Sequence, residues 1–346
     1  MKKKILVTGG TGYIGSHTAV ELIDKGFEVI IIDNLYNSEA EVIDRIEKIT
    51  GTRPQLLVFD ICDSGKLNSF FQKYDSISGI IHFAAYKAVG ESVNKPLEYY
   101  RNNLVSLINL LDAMKNYRIR NLVFSSSCTV YGQPEKLPVS EDAPLQPAVS
   151  PYGNTKQVGE EIIRDTAASD KNISAISLRY FNPIGAHPSA LIGELPRGVP
   201  ENLVPFITQT AYGIREELKV FGNDYDTPDG SCIRDYLHVT DLAKAHVVAI
   251  DRLIGNKNKT HYEVFNLGTG KGVSVLEAIS SFERVTGMKL KYRITERRPG
   301  DIEKIWADPS LANRELGWKT ESTLDEAMST AWEWEKFIRK QEKNET

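Results

Sequence analysis

A glycine-rich turn near the start of the chain constrains the fold more than any other feature. Residues 5–7 are apolar and typical of a strand, and the turn that follows them carries Gly9, Gly10, Gly12 and Gly15. The last three satisfy the spacing G-x-G-x-x-G, and Gly9, Gly12 and Gly15 satisfy the wider G-x-x-G-x-x-G. Residues 14–25 have an amphipathic pattern, so the region predicts a strand, a tight turn and a helix. Such a turn lets the backbone approach a pyrophosphate, which then sits at the positive end of the helix.

The next strand indicates which molecule the turn would bind. Residues 27–32 are largely apolar and are followed by Asp33. A carboxylate at the end of this strand can accept hydrogen bonds from the adenosine ribose of a dinucleotide. It would also repel a 2′-phosphate, and residues 34–38 contain no Arg or Lys to neutralise one. Both features favour NAD over NADP as the cofactor.

Strand-like and helix-like segments alternate through the first half of the chain. After Asp33, strand patterns recur at residues 55–59, 79–83, 121–124 and 173–178, with helical patterns between them, one of them over residues 97–117. Ser38 and Glu41 have the spacing of a capping box, which predicts a helix from about residue 39. The alternation predicts an α/β fold of the Rossmann type, a doubly wound parallel sheet with helices on both faces.

The alternation fades beyond residue 180, where Gly and Pro become more frequent. We therefore predict two domains. Residues 1–180 would form the NAD-binding Rossmann domain, and residues 181–346 a smaller mixed α/β substrate-binding domain. Residues 236–253 have a helical pattern and are the part of the second domain that could pack back on the first.

The composition excludes several classes of function. The chain has 346 residues and a net charge of −4, from 46 acidic and 42 basic side chains, which gives no general attraction for nucleic acid or anionic lipid. Cys62, Cys128 and Cys232 are scattered, which indicates buried apolar residues in a reduced compartment and neither disulfides nor a metal site. No apolar run reaches the length of a signal-peptide core or a transmembrane helix, so we expect a soluble, cytoplasmic protein.

A second motif, Tyr152-x-x-x-Lys156, is typical of proton-transfer chemistry. Pro151 suits the first position of a helix and Ser150 its N-cap, so both side chains would lie on one face of the first turns. A nearby ammonium favours the phenolate, which predicts that Lys156 lowers the pKa of Tyr152 and makes it a base near neutral pH. The spacing also occurs by chance on exposed helices, but Ser127 follows the preceding strand and would lie at the same sheet edge.

Several longer stretches resemble one known family. They are residues 7–17, 33–35, 37–38, 82–92, 125–132, 179–183, 221–225, 234–239 and 297–301. Together with Tyr152, Gly153 and Lys156, they make nearly the whole chain resemble the extended short-chain dehydrogenase/reductase family, and within it the 4-epimerases of UDP-glucose and UDP-galactose. Residues 87–92 are more specific to these epimerases than the other stretches of the first domain, which the superfamily shares.

The resemblance implies a catalytic set and two binding sets. Catalysis would depend on Ser127, Tyr152 and Lys156. The cofactor would be held by these three residues and by Gly9, Gly12, Tyr13, Ile14, Gly15, Asp33, Asn34, Asn37, Ser38, Asp60, Ile61, Phe83, Ala84, Lys87, Asn102 and Tyr180. The UDP-sugar would contact Lys87, Ser127, Tyr152, Asn182, Asn202, Leu203, Phe221, Arg234, Arg298 and Asp301. Guanidinium groups match a pyrophosphate, although Arg297 and Arg298 are equally typical of a solvated surface pair.

The activity that the resemblance implies is the reversible 4-epimerisation of UDP-glucose and UDP-galactose. Tyr152 would remove the proton from O4 while the C4 hydride passes to a tightly held NAD, and the transient 4-keto sugar would take both back on its other face. The resemblance also implies a homodimer that associates through helices corresponding to residues 97–117 and 151–168. Ile305 stands at a position whose size, in this family, is associated with acceptance of N-acetylated sugars. Ile is neither extreme, so substrate breadth stays open.

Other functions on the same fold fit less well. A nucleotide-sugar 4,6-dehydratase carries an Asp-Glu pair directly after the catalytic Ser or Thr, where this chain has Cys128 and Thr129. A UDP-glucuronate decarboxylase or epimerase needs a cation for the sugar carboxylate, and no residue points to one. The alternative of a UDP-N-acetylhexosamine epimerase stays open, because the size of Ile305 does not decide whether N-acetylated sugars are accepted. A non-catalytic, NAD-bound regulator tends to lose the Tyr or the Lys, and this chain keeps both.

Overall fold

The computed structural model describes residues 2–298 and 301–345, so Pro299 and Gly300 of the stretch 297–301 lie outside it. The strands are β1 (Lys4–Thr8), β2 (Glu28–Asp33), β3 (Gln55–Val58), β4 (Ile77–His82), β5 (Asn121–Ser125), β6 (Ser174–Tyr180), β7 (Asn182–Ile184), β8 (Leu218–Phe221), β9 (Ile233–Arg234), β10 (Tyr236–His238), β11 (Tyr262–Leu267), β12 (Val273–Ser274) and β13 (Tyr292–Thr295). The α-helices are α1 (Tyr13–Asp24), α2 (Val42–Thr50), α3 (Ser64–Lys73), α4 (Val89–Asn94), α5 (Pro96–Tyr100), α6 (Ser106–Asn116), α7 (Pro151–Ser169), α8 (Leu203–Tyr212), α9 (Val239–Ile254), α10 (Val275–Thr286), α11 (Ser310–Glu315) and α12 (Leu324–Glu345). Across the ranges given, none of these helices has both the length and the apolarity needed to cross a membrane.

Seven strands form one parallel sheet in the spatial order β11-β6-β5-β4-β1-β2-β3. Leu6 at its centre lies beside Ile30 of β2 and Ile80 of β4. Successive side chains of a strand point to opposite faces, and both faces are covered here. Val7 and Ile31 pack with α1 and α9, while Leu6 and Ile30 pack with α3 and α6. Burial on both faces accounts for the nearly continuous apolar strands, and the predicted Rossmann-type fold is confirmed.

The order of the strands opens a crevice at one edge of the sheet. From β1 the chain runs outward through β2 and β3, and it then returns to the other side of β1 with β4. The connections that leave β1 and β4 therefore diverge, and ligands bind in the crevice that such a divergence creates. Thr8, Asp33, His82 and Ser125 end four neighbouring strands at this edge.

The helix after β2 begins later than the capping-box pattern predicts. α2 starts at Val42, and the residue that precedes it makes no side-chain cap. The hydroxyl of Ser38 instead donates to the carboxylate of Asp33 at 3.1 Å. The prediction that Ser38 caps this helix is wrong because α2 begins four residues later, and the side chain of Ser38 lies against Asp33 on β2.

The helix predicted over residues 97–117 is interrupted by an irregular segment. α5 and α6 are joined by a π-helical turn, Arg101–Val105. Within it, the amide of Asn103 donates to the carbonyl oxygen of Tyr86 and to the hydroxyl of Thr155, each at 3.0 Å. π-Helical turns are frequent at functional sites. This one connects the loop after β4 to the start of α7.

Residues beyond 180 contribute both to small separate sheets and to the large one. β7 pairs with β10, β8 with β13 and β9 with β12. α8, α10 and α12 pack around their own apolar cluster, which includes Phe282 and Met328. In contrast, α9 packs against α1 and the large sheet, and β11 pairs with β6. The domain boundary at residue 180 stays a prediction.

Candidate active site

The glycine-rich turn between β1 and α1 is packed too closely for side chains. Gly9 has a φ of +72°, and a Cβ there would lie 2.7 Å from the backbone nitrogen of Ala84. A Cβ on Gly15 would overlap the carbonyl oxygen of Gly9. No side chain caps the first turn of α1, so its N–H groups and positive end are left to bind an anion. The turn therefore fits the pyrophosphate of a dinucleotide.

The carboxylate of Asp33 organises the loops around this turn. It accepts hydrogen bonds from the backbone N–H of Thr11 at 3.2 Å, the N–H of Leu35 at 2.9 Å and the hydroxyl of Ser38 at 3.1 Å. A carboxylate can accept about four hydrogen bonds. The three present leave room at Oδ2 for a ribose hydroxyl, which is the role that the sequence predicts for Asp33.

Most of the other residues predicted to hold the cofactor surround the same crevice. Asn34 donates to the carboxylate of Asp60 at 3.3 Å, and Tyr180 shares a hydrogen bond of 2.7 Å with Ser125. The remaining members open α1 (Tyr13, Ile14), follow β2 (Asn37, Ser38), follow β4 (Phe83, Ala84, Lys87), or lie before α3 (Ile61) and in the π-helical turn (Asn102). The structure thus brings them together, and their contacts with NAD stay a prediction.

The first turn of α7 positions the two residues of the Tyr-x-x-x-Lys motif. Pro151 takes the first helical position, and the side chain of Ser150 accepts a hydrogen bond from the N–H of Gly153 at 3.1 Å. Both features are as predicted from the sequence. Tyr152 and Lys156 are buried one turn apart at the edge where β5 ends.

Burial controls the protonation of Tyr152. Enclosure of the phenol raises its pKa, the nearby Tyr180 adds to the increase, and hydrogen bonding with Ser127 opposes it. The prediction that Lys156 lowers this pKa is therefore wrong for the protein alone. The reason is geometric, because the ammonium of Lys156 donates to the carbonyl oxygen of Ser125 at 2.6 Å and lies 5.8 Å from the centre of the Tyr152 ring.

A buried ionic cluster, which the sequence analysis missed, lies directly behind these side chains. Glu160 accepts from Nη2 of Arg179 at 2.6 Å and from the hydroxyl of Ser126 at 2.5 Å. Burial lowers the pKa of Lys156 to about 8, and the charge of Glu160, one turn further along α7, opposes that decrease. Ser126 is tied to Glu160, while the next residue, Ser127, interacts with Tyr152. The sequence signal that could have revealed this cluster is the carboxylate of Glu160, four residues after Lys156.

The two residues after Ser127 do not form an acid–base pair for dehydration. Burial raises the pKa of Cys128 to about 12, so its thiol stays protonated near neutral pH. The hydroxyl of Thr129 is buried and has no hydrogen-bond partner among residues 2–298 and 301–345. Cys128 packs against the apolar cluster that contains Val130 and Ile305, as expected for a packing residue. Within the part of the chain that the structure describes, no group of three His, Cys, Asp or Glu side chains has the arrangement of a metal site.

Residues predicted to bind the UDP-sugar come from elements beyond residue 180. Arg234 and Asp301 form an ion pair of 2.5 Å, and the guanidinium of Arg298 lies over the ring of Phe221, 4.5 Å from its centre. Asn182 begins β7 and Leu203 begins α8. The interpretation of a solvated arginine pair fits Arg297, which is exposed and pairs with Asp224 at 2.7 Å. Arg298 is exposed as well, and Arg297 also lies over an aromatic ring, 4.0 Å from the centre of Tyr225, so stacking does not separate the two arginines.

The cofactor set and the substrate set meet at one carboxylate. Glu194 accepts from the ammonium of Lys87 at 2.9 Å and from the side-chain amide of Asn202 at 2.6 Å. Lys87 follows β4, whereas Asn202 precedes α8. Glu194 was missed by the sequence analysis because its partners lie far from it along the chain.

Comparisons with known proteins show which family the chain resembles over nearly its whole length. The family model described as GDP-mannose 4,6 dehydratase matches residues 6–331. UDP-glucose 4-epimerase of Bacillus subtilis (strain 168) is 50% identical over 331 residues, which are 96% of each chain. The human UDP-glucose 4-epimerase is 48% identical over 342 residues, which are 97% of each chain.

Solved structures resemble the fold over the whole chain. UDP-glucose 4-epimerase from Stenotrophomonas maltophila, solved with bound NAD and formylated UDP-arabinopyranose, has a TM-score of 0.95 and 47% identity and covers 98% of this chain and 99% of its own. The enzyme from Bifidobacterium longum, solved with NAD+ and UDP, has a TM-score of 0.93 and 46% identity, and the match covers 97% of this chain and 99% of its own. The fold and the Ser–Tyr–Lys site define a nucleotide-sugar-modifying enzyme of the extended short-chain dehydrogenase/reductase type. The chain belongs to the UDP-glucose 4-epimerase family, as the sequence predicts.

Gly15→Ala tests the close packing of the glycine-rich turn. The added Cβ would push α1 away from Gly9, so we expect at least ten-fold weaker binding of NAD, equivalent to about 1.4 kcal/mol, and a lower melting temperature. NAD binding is measured by titration of stripped protein. Gly65→Ala, on the first turn of α3, is the matched control and should leave binding unchanged. Equal NAD affinity for Gly15→Ala and the unaltered protein would contradict this account of the turn.

Proposed function

We propose that this protein catalyses the reversible 4-epimerisation of UDP-glucose and UDP-galactose with NAD retained through turnover. The observation that carries the proposal is the placement of Ser127, Tyr152 and Lys156 at the same sheet edge as Asp33 and the glycine-rich turn. Relatives of nearly equal length that bear the name UDP-glucose 4-epimerase support it. We also propose a cytoplasmic location, because the free cysteines suit a reducing compartment.

Tyr152 is the group that accepts and returns the proton of the sugar 4-hydroxyl. Its phenol is buried and interacts with Ser127. The hydroxyl of Ser127 forms a second hydrogen bond to the sugar 4-hydroxyl. NAD, when bound, supplies a hydride acceptor for C4 and a positive charge that opposes the effect of burial on the phenol. Lys156 holds the end of β5 through its bond to the carbonyl oxygen of Ser125 and keeps a cation behind the phenol.

The far side of the crevice would hold the UDP group. Arg234 and Arg298 are the cations for the pyrophosphate, and Asp301 accepts from a ribose hydroxyl. Arg234 and Asp301 already orient one another as an ion pair. Both side chains are therefore already at the site. On binding, Arg234 would exchange Asp301 for the pyrophosphate, and Asp301 would exchange Arg234 for the ribose hydroxyl.

Purified protein should interconvert UDP-galactose and UDP-glucose with no NAD added. Tyr152→Phe should lower kcat by about 10²- to 10⁴-fold, since it removes only the group that moves the proton. The bound NAD should be unchanged, as measured by extraction from denatured protein. Activity of Tyr152→Phe within a few-fold of the unaltered enzyme would exclude Tyr152 as the base. Absence of conversion by unaltered protein that contains NAD would contradict the proposed function itself.

Ile305 is the residue that we propose as the limit on substrate breadth. It is buried in the cluster with Val130 and Phe181, and Cys128, next to the catalytic Ser127, packs on the same cluster. A change of volume at Ile305 would therefore be transmitted to the wall of the sugar pocket. We propose that its intermediate size gives intermediate acceptance of N-acetylated sugars.

Variants of Ile305 test this limit. Ile305→Gly should raise kcat/KM for UDP-N-acetylglucosamine relative to UDP-glucose, and Ile305→Tyr should lower that ratio, because the pocket becomes wider or narrower. Each ratio is measured from initial rates on both sugars. Melting temperatures serve as the control, since deletion of a buried Ile costs about 2–5 kcal/mol. Identical ratios in all three proteins would exclude Ile305 as the limit.

We further propose that the protein is a homodimer that associates through α6 and α7. Apolar side chains on the adjoining helices are exposed: Val93 by 60%, Leu97 by 73%, and Val105 and Ile108 by 36% and 43%. A group of exposed apolar side chains on consecutive helices is typical of a protein–protein interface. Its neighbour is α7, which carries the catalytic pair, so association would also stiffen the site.

Ile108→Glu should convert the dimer to a monomer, because it places a charge inside the interface. Molar mass is measured by light scattering during size-exclusion chromatography. Ile214→Glu is the matched control, since Ile214 has the same 43% exposure on a surface beyond residue 180. A change of mass for both variants, or for neither, would contradict the proposed interface.

A further inference from the structure

A loop from the second half of the chain reaches back to the loop that follows β2. Arg197 lies between β7 and α8, and its Nη1 donates to the carbonyl oxygen of Tyr36 at 2.8 Å. Its Nη2 donates to the carbonyl oxygens of Ser38 at 2.8 Å and Leu35 at 3.4 Å. One guanidinium thus binds three carbonyls of a segment about 160 positions earlier in the chain.

The segment that Arg197 binds has a strained backbone. Leu35 has a φ of +59°, a left-handed conformation that residues with a side chain seldom adopt. Its N–H donates to Asp33, and its carbonyl oxygen accepts from Arg197. Strained conformations persist only where the surroundings hold them. Arg197 therefore helps to keep residues 34–38 in their shape.

Residues 34–38 form the wall predicted for the adenosine end of the cofactor. Asn34, Asn37 and Ser38 are the members of that wall, and Ser38 also shares a hydrogen bond of 2.7 Å with the hydroxyl of Thr11 in the glycine-rich turn. Arg197 is exposed and touches only main-chain oxygens of this wall. It acts from outside on the shape of the site.

The stretch 193–198 that carries Arg197 is itself anchored in the second half of the chain. The carbonyl oxygen of Glu194 accepts from the indole of Trp334 on α12 at 2.8 Å, while its carboxylate holds Lys87. Gly193 lies directly against the Trp334 ring, where a Cβ would come within 2.5 Å of it. Arg215 donates to the carbonyl oxygen of Gly198 at 3.0 Å. The stretch can therefore transmit a restraint from α12 to the cofactor wall.

We propose that Arg197 is a positioning residue for cofactor retention, which ties the adenosine wall of the NAD site to the second half of the chain and slows the release of NAD. The inference rests on the proposed function, because 4-epimerisation restores the oxidised cofactor in every cycle and needs no exchange of it. Release would require the wall to move, and the three carbonyl bonds oppose that movement.

The test compares the release of NAD from three variants. Arg197→Gln can reach fewer of the three carbonyls, and we expect NAD to dissociate at least ten-fold faster, with less NAD in the protein as purified. Release is measured by exchange of bound NAD for labelled NAD, without any sugar present. kcat with saturating added NAD should stay within two-fold. Arg197→Lys keeps the charge but not the planar fork, so its release rate should be intermediate.

Arg314→Gln is the control, because Arg314 is an exposed arginine paired with the adjacent Glu315. It should release NAD at the rate of the unaltered protein. An unchanged release rate in Arg197→Gln would overturn the inference, and full retention in Arg197→Lys would overturn the assignment to the three carbonyl bonds. Failure of the proposed function looks different: the unaltered protein would hold NAD and convert no sugar.

Discussion

The carboxylate of Asp33 is the interaction on which the site depends. It is a buried charge, and such a charge is tolerated only where donors surround it. Thr11 brings the glycine-rich turn to it, and Leu35 and Ser38 bring the loop after β2. Two loops that diverge from neighbouring strands are thereby fixed relative to one another. The loop after β2 is therefore held beside the glycine-rich turn, where α1 begins.

At the catalytic edge, burial and charge act against each other. Water is excluded from Tyr152 and Lys156, which favours the neutral form of each, so burial raises the pKa of the phenol and lowers that of the ammonium. Glu160 and Arg179 form a compensated ion pair behind them and keep charge at the site without exposing it to solvent. Positive charge on the side of the crevice where the cofactor would lie would favour release of the proton from the phenol.

Features encoded by short spacings could be predicted from the sequence, and features that depend on distant contacts could not. The strands, the glycine-rich turn and the cap of α7 at Ser150 and Pro151 are local, and the structure has all of them. Ser38 was assigned to a helix cap because its hydrogen bond to Asp33, which belongs to another element, leaves no mark in the local spacing. Arg197 selects partners about 160 positions earlier in the chain, and no spacing in the sequence indicates that contact. The spacing of Glu160 from Lys156 was a signal for the buried cluster, but it did not identify Arg179 as the partner. The raised pKa of Tyr152 depends on enclosure, which is a property of the assembled fold.

The two sides of the crevice are built from different kinds of bonds, and this difference matches two different demands. On the cofactor side, two charged side chains bind main-chain groups: the N–H groups of Thr11 and Leu35 bind Asp33, and carbonyl oxygens bind Arg197. The hydroxyl of Ser38 adds a side-chain bond to Asp33. Main-chain bonds cannot be exchanged without moving the loop. The substrate side carries paired side chains, Arg234 with Asp301 and Arg298 with Phe221. A chain that must keep one ligand and turn over another gains from this division.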